Sequence, residues 1–177
     1  MGDLAAQPTS SAASLQMLAR YRAWAVDLTL QHLALLPVEE LLKPRPTTFG
    51  SILQTLAHID IVDQIFKGHL EGREHGYTSR HGDQILALDE LQSAMRETSR
   101  WIIYTCDRLS ESDLARRVKY KSVDGDPNEM TTEQILLHLI NHATYHIGYV
   151  SDMMYQIPAE PPTTDLTVFV RDVWRVD

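Results

Sequence analysis

The 177-residue chain predicts an all-α fold: a four-helix bundle with a small β-hairpin before the last long helix. Three observations predict it. Apolar residues recur at spacings of three, four and seven in four separate stretches, the period of a helix with one buried face. The eight prolines fall outside those stretches and never inside them. One short segment, RVKYKSVDGDPN, breaks the helical period with β-prone residues followed by a turn signal.

Residues 1–10 read as a loose tail. The first helix begins near Ser11 and carries Leu15, Leu18, Ala25, Leu28 and Leu35 at helical spacing; Pro37 ends it. A short turn through Val38–Leu42 leads into KPRPTT, whose two prolines in three positions make a connector. The second helix is expected from about Phe49 to Leu70, with Ile61, Ile65 and Phe66 on its stripe and Gly68 and Gly72 marking its end. The polar, glycine-bearing stretch from Glu71 to Asp83 is a surface loop. Leu88 to Leu109 gives the third helix, with Leu91, Met95, Thr98, Ile102 and Leu109 on one side. After the hairpin between Arg116 and Met130, Thr131 and Gln134 form a capping-box pattern that opens the fourth helix. That helix reaches about Gln156 and is closed by Pro158, Pro161 and Pro162. The terminal DLTVFVRDVW packs against the bundle. The helices are expected to run antiparallel with short joins, and no repeat or linker divides residues 1–177, so one domain is expected.

Composition narrows the function. With 44% hydrophobic residues, a domain of this length buries a core unaided. Sixteen Lys and Arg against twenty-four Asp and Glu give a net charge of −8, which argues against nucleic acid and against an anionic membrane surface. Cys106 stands alone, so an intrachain disulfide is excluded and a reducing, cytoplasmic setting is expected. The first residues lack the basic and apolar regions of a signal peptide, and Ala6 stands where a myristoylation signal needs Ser or Thr. Gln134 to Ser151 contains no Asp, Glu, Lys or Arg, approaching membrane-spanning length. Its three His, two Tyr, Asn, Gln and Thr instead fit a helix buried in protein.

Those histidines carry the chemistry. On the fourth helix His138, His142 and His146 are four residues apart. Each step of four turns the side chain by about 40°, so His142 and His146 stack on one face and His138 drifts to its edge. The opposite flank, Leu136, Ile140, Ala143, Ile147, Val150 and Met154, is apolar. Imidazoles on a buried helix need partners for their nitrogens. Spacing alone leaves two readings equal: a metal-ligand pair, or two core histidines bonded to neighbouring groups. The H-E-x-x-H protease pattern is absent, since Ala143 follows His142. His58, in LAHIDIVDQIF, shares the inward stripe of Ile61 and Ile65, and it tips the balance. An inward His on one helix beside an inward HxxxH pair on another is the arrangement of a bundle metal site. Three imidazoles with an open position describe a catalytic ion.

These residues bring out a resemblance. LAHIDIVDQIF around His58, NHATYHIGY around His142 and His146, and the closing PPTTDLTVFVRD resemble the DinB/YfiT-like superfamily, the damage-inducible bundle family, over about Leu15 to Asp172. The resemblance implies an up-down-down-up four-helix bundle, commonly a homodimer, with His58, His142 and His146 holding a divalent metal. Zn, Ni and Fe all accept such a ligand set. It also implies a metal-dependent transferase or hydrolase acting on a small-molecule substrate, the ion activating a low-molecular-weight thiol or a water. The alternative is a stress-response protein that binds a metal or small ligand without turnover. The chain departs from the family where H-R-G-Q is usual: it has His146, Ile147, Gly148 and Tyr149.

No catalytic side chain is assigned. Tyr145, Tyr149, Asp63 and Asn141 lie near the ligands in sequence, and each reads more simply as an edge tyrosine, a solvated carboxylate or an amide bonded within the bundle. His69, His75 and His81 lie in or beside the polar loop, where solvation is the simple reading and a lid over the site the alternative. His32 receives no role. Cys106 reads as a small core hydrophobe, Trp24, Trp101 and Trp174 as packing residues, and Arg116, Arg117, Lys119 and Lys121 as a solvated strand face.

Overall fold

A computed structural model describes residues 11–82 and 86–174. The expected tail over residues 1–10 lies outside the described residues, as does Asp83 at the end of the expected loop. The elements run α1 (Ser11–Leu33), α2 (Val38–Leu42), α3 (Ile52–Glu71), α4 (Leu88–Arg108), α5 (Glu111–Leu114), β1 (Arg117–Lys121), β2 (Pro127–Thr131), α6 (Thr132–Tyr155) and α7 (Leu166–Asp172).

Local chemistry sets the ends of the helices that matter. The Ser51 hydroxyl accepts from the Gln54 backbone N–H at 3.2 Å, so α3 starts at Ile52 and not at Phe49. At the other end Gly72 takes a left-handed φ of 68°, a conformation that stops the helix and favours glycine. Thr131 and Gln134 close a reciprocal capping box, at 3.1 and 2.8 Å, and open α6 as the sequence predicts. β1 and β2 pair antiparallel from Arg117↔Thr131 to Lys121↔Pro127.

The joins before α3 and α6 carry elements of their own, and their reach permits the topology. α1 reaches α3 through α2 and a connector, and α4 reaches α6 through α5 and the hairpin. With such reach, α1 packs mainly on α4 and α6, and α3 on α6 and α4. Consecutive long helices α1 and α3 therefore sit across the bundle from one another, as bundles with long crossovers allow. α7 closes one side: Phe169 inserts against Tyr21, Trp24 and Trp174, and the Tyr21 hydroxyl donates to the Thr164 carbonyl at 2.9 Å.

The core is two apolar halves divided by a polar layer. One half holds Leu15 and Ala19 of α1, Ile102 and Cys106 of α4, and Leu136, Leu139 and Ile140 of α6. The other holds Val26, Leu30 and Leu33 of α1, Ile52, Leu53 and Leu56 of α3, Leu91 and Met95 of α4, and Ala143 and Ile147 of α6. Between them lies Arg22, 1% exposed. It donates Nη1 to the Ser99 hydroxyl at 3.0 Å, Nε to the Leu139 carbonyl at 3.4 Å, and Nη2 to the Asp63 carboxylate. One side chain thus ties α1 to α3, α4 and α6.

Candidate metal centre

α3 and α6 pack against each other, so inward residues at matching heights meet. His58 comes from α3 at 7% exposure; His142 and His146 come from successive turns of α6. One nitrogen from each of the three lies within 4.8 Å of the other two. His58 Nε2 is 3.1 Å from His142 Nε2, and the ring centroids are 4.9, 4.7 and 4.4 Å apart. His58 Nδ1 donates to the Arg80 carbonyl at 2.8 Å. In a neutral imidazole that bond leaves Nε2 unprotonated, with its lone pair toward the cluster.

Electrostatics keeps all three rings neutral. Burial, followed by the neighbouring His146 and His58, lowers the pKa of His142 to about 2. Burial and His58 lower His146 to about 4, and burial lowers His58 as well. Two ring nitrogens, Nδ1 of His142 and Nδ1 of His146, are buried with no hydrogen-bond partner. Three neutral rings, each bringing a nitrogen to a common point, suit a divalent cation, and three protein ligands leave a coordination position open.

A wall forms around this cluster. Phe49 stacks on His58 with centroids 4.3 Å apart and 25° between planes, and meets His146 edge-on at 5.0 Å. His81 lies 5.5 Å from Phe49 and 5.7 Å from His58. Phe49, His58, the loop from Thr78 to His81 and the hairpin turn at Val123 and Asp124 bound a cavity of about 420 Å³. Arg80 ties loop to hairpin through an ion pair with Asp124 at 2.9 Å. A larger hollow of about 530 Å³ is bounded by hairpin residues and touches no histidine. The helical period placed Phe49 at the start of a helix and hid its role. The Ser-x-x-Gln pattern at Ser51 and Gln54 is the signal that would have freed it.

The remaining residues divide. Asp63 is neither solvated nor beside the ligands: it is fully buried, paired to Arg22, with its Oδ1 unpartnered. Burial pushes its carboxyl up while the guanidinium opposes that shift. The Tyr145 and Tyr149 hydroxyls bond each other at 2.8 Å, with rings 5.0 and 5.9 Å from His146. Asn141 is exposed. His138 is half-buried, 4.6 Å from Phe66 and 5.4 Å from His142, and stands at the edge of the cluster as its helical drift predicts. His69 stacks on Tyr120 and His75 meets His69, whereas His81 alone of the loop histidines reaches the site. His32 bonds the Leu28 carbonyl. Cys106 is buried, its thiol pushed up to about 12 by burial, an inert state. Arg117, Lys119 and Lys121 line the exposed side of β1, with Arg117 near Glu129 at 3.4 Å.

At the departure from H-R-G-Q, Ile147 is 3% exposed in the apolar core, so this chain spends that position on packing. Among the described residues no helix is long and apolar enough to cross a membrane.

Comparison with known proteins agrees with this geometry. The chain is 22% identical over 157 residues to Protein DinB of Bacillus subtilis (strain 168), covering 85% of this chain and 90% of that one. Its fold matches the crystal structure of a DinB-like protein from Bacillus cereus ATCC 10987, with a TM-score of 0.61 at 18% identity, over 81% of this chain and 91% of the other. The profile of the DinB family matches residues 9–173, the whole span that carries the bundle, the three histidines and the closing helix, and the chain therefore belongs to the DinB family.

Proposed function

We propose that this protein is a metal-dependent enzyme that activates a thiol, in an S-transferase-type reaction, or a water, in a hydrolase-type reaction. The observation that carries the reading is the convergence of His58, which lines a cavity, with His142 and His146, each of which has an unpartnered nitrogen. His58, His142 and His146 would hold the ion, with Zn, Ni or Fe as candidates. When bound, a divalent ion supplies Lewis acidity that lowers the pKa of a thiol or water at the open position. The chain's own residues do the rest. The Arg80 carbonyl orients the His58 ring. Phe49 and His81 exclude water from one side of the cluster. The Tyr149 ring lies beside His146, and its hydroxyl shares a hydrogen bond with that of Tyr145, a bond that raises the pKa of Tyr149.

In this reading the protein works in the cytoplasm as a homodimer on a small electrophilic substrate, with a low-molecular-weight thiol as co-substrate in the transferase form, and with neither nucleic acid nor membrane as partner. The test begins with elemental analysis of untagged protein, wild type beside His58→Ala. Each is then incubated with an electrophile and a panel of cellular thiols. Stoichiometric metal and electrophile consumption in wild type, both lost in His58→Ala, is the expected result; full consumption by the metal-free variant overturns it. The burial of Ile147 where the family has Arg favours one alternative, a binding protein without turnover. It predicts tight metal binding with no consumption across the panel.

A further inference from the structure

The polar layer of the core holds more negative than positive charge. Asp63 has Arg22, but Asp60, 7% exposed, is in no ion pair among the described residues. It accepts only a long hydrogen bond from Gln64 Nε2, at 3.5 Å, and that amide lies closer to the Thr98 hydroxyl, at 3.0 Å. A buried carboxylate with so little compensation invites a cation.

Asp60 also lines a cavity of about 380 Å³, within the range of small-molecule sites. Ala57 and Ile61 flank it on α3, Tyr77 comes from the loop, Leu86 lies just before α4 and Leu91 in its first turn. Asp60 is two residues beyond His58, a rotation of about 200° on the helix, so it faces the flank away from the histidines. Thr78, Ser79 and His81 border both this cavity and the one at the histidines, so the loop partitions them. With Asp60 its one carboxylate and Thr78 and Ser79 its hydroxyl-bearing neighbours, the lining offers too few charged oxygens for Ca²⁺ or Mg²⁺. An ammonium group needs only a carboxylate and tolerates an aromatic wall such as Tyr77.

We propose that this second cavity binds a small organic amine, its ammonium on the Asp60 carboxylate and its apolar body against Ala57, Ile61, Leu86 and Leu91. The site stands whether or not the histidines hold a metal.

Calorimetric titration of the purified protein with phenethylammonium, and with phenethyl alcohol as its uncharged counterpart, tests this. Saturable amine binding is expected, at least about tenfold tighter than the alcohol, and weakened at least about tenfold in Asp60→Asn with the melting curve intact. Absence of saturable binding by wild type, equal affinity for the alcohol, or unchanged affinity in folded Asp60→Asn overturns the proposal. Should Asp60→Asn fail to fold, Ala57→Leu, which fills the cavity, decides in its place: lost binding supports the site and retained binding overturns it.

Discussion

Two groups of buried polar side chains sit within the same bundle, and they are built differently. The Arg22 layer is almost closed upon itself: guanidinium, carboxylate, hydroxyl and main-chain carbonyl meet, and one oxygen, Asp63 Oδ1, lacks a partner. The histidine cluster is open: three neutral rings face one another, and among the described residues only His58 has a hydrogen-bond partner outside the cluster, the Arg80 carbonyl. Buried polar atoms are nearly always satisfied. The first arrangement is therefore nearly complete as structure, whereas the second leaves two buried ring nitrogens that a bound ion would satisfy. Each side of this contrast predicts a different response to substitution.

The largest effect belongs to the closed layer. Arg22→Met leaves Asp63 buried without its counter-charge and is expected to destabilise the metal-free protein by about 3–5 kcal/mol in urea unfolding. The double variant Arg22→Met with Asp63→Leu should recover most of that loss, because a well-packed apolar pair can replace a buried ion pair. A single variant as stable as wild type would show that the layer is not a support.

The open cluster should behave in the opposite way. His142→Ala is expected to weaken metal binding by more than about 100-fold, measured by competition with a chelating dye. The melting temperature of the metal-free protein should stay level or rise, since a desolvated ring is removed. A fall comparable to that of the Arg22 variant would erase the distinction between the two groups.

Acid gives a subtler test. The pKa values of His142 and His146 in the folded state, about 2 and about 4, lie below the free value of 6.5. The unfolded chain therefore takes up protons that the folded chain refuses, and the stability tied to these rings is full above pH 6.5. It is lost as pH falls through 6.5 toward 4. The melting temperature of metal-free wild type should drop more steeply between pH 7.5 and 4.5 than that of a His142→Phe, His146→Leu variant. Parallel curves would remove the histidines as the cause.

The smallest effect is expected at the rim. Tyr145→Phe breaks an exposed hydroxyl pair and should change stability by no more than about 0.5 kcal/mol, with metal affinity unaltered. A metal affinity that changed severalfold would move this pair from the rim into the centre.

The two groups were also unequally legible. The histidines could be read because helical periodicity alone puts His142 above His146, and the stripe of Ile61 and Ile65 turns His58 inward. The cap at Thr131 and the hairpin were visible for the same reason: their signals are local. Arg22 and Asp63 were not legible, because a charged residue on an amphipathic helix reads as solvated, and only the packing of four helices shows that these two meet. Phe49 was absorbed into a helical period that Ser51 ends. The placement of α1 across from α3 is not legible in any single helix, because it depends on which helices pack against each other.

The contact between His58 and position 80 has one more consequence. The acceptor is a main-chain oxygen, so it is supplied by any amino acid that leaves the backbone path intact. Evolution is free to exchange the guanidinium there, and with it the link to Asp124, without unfastening the ring. Deleting or inserting a residue between Gly72 and Arg80 would shift the carbonyl itself. The orientation of the ring thus depends on the number of residues in that segment more than on their identities.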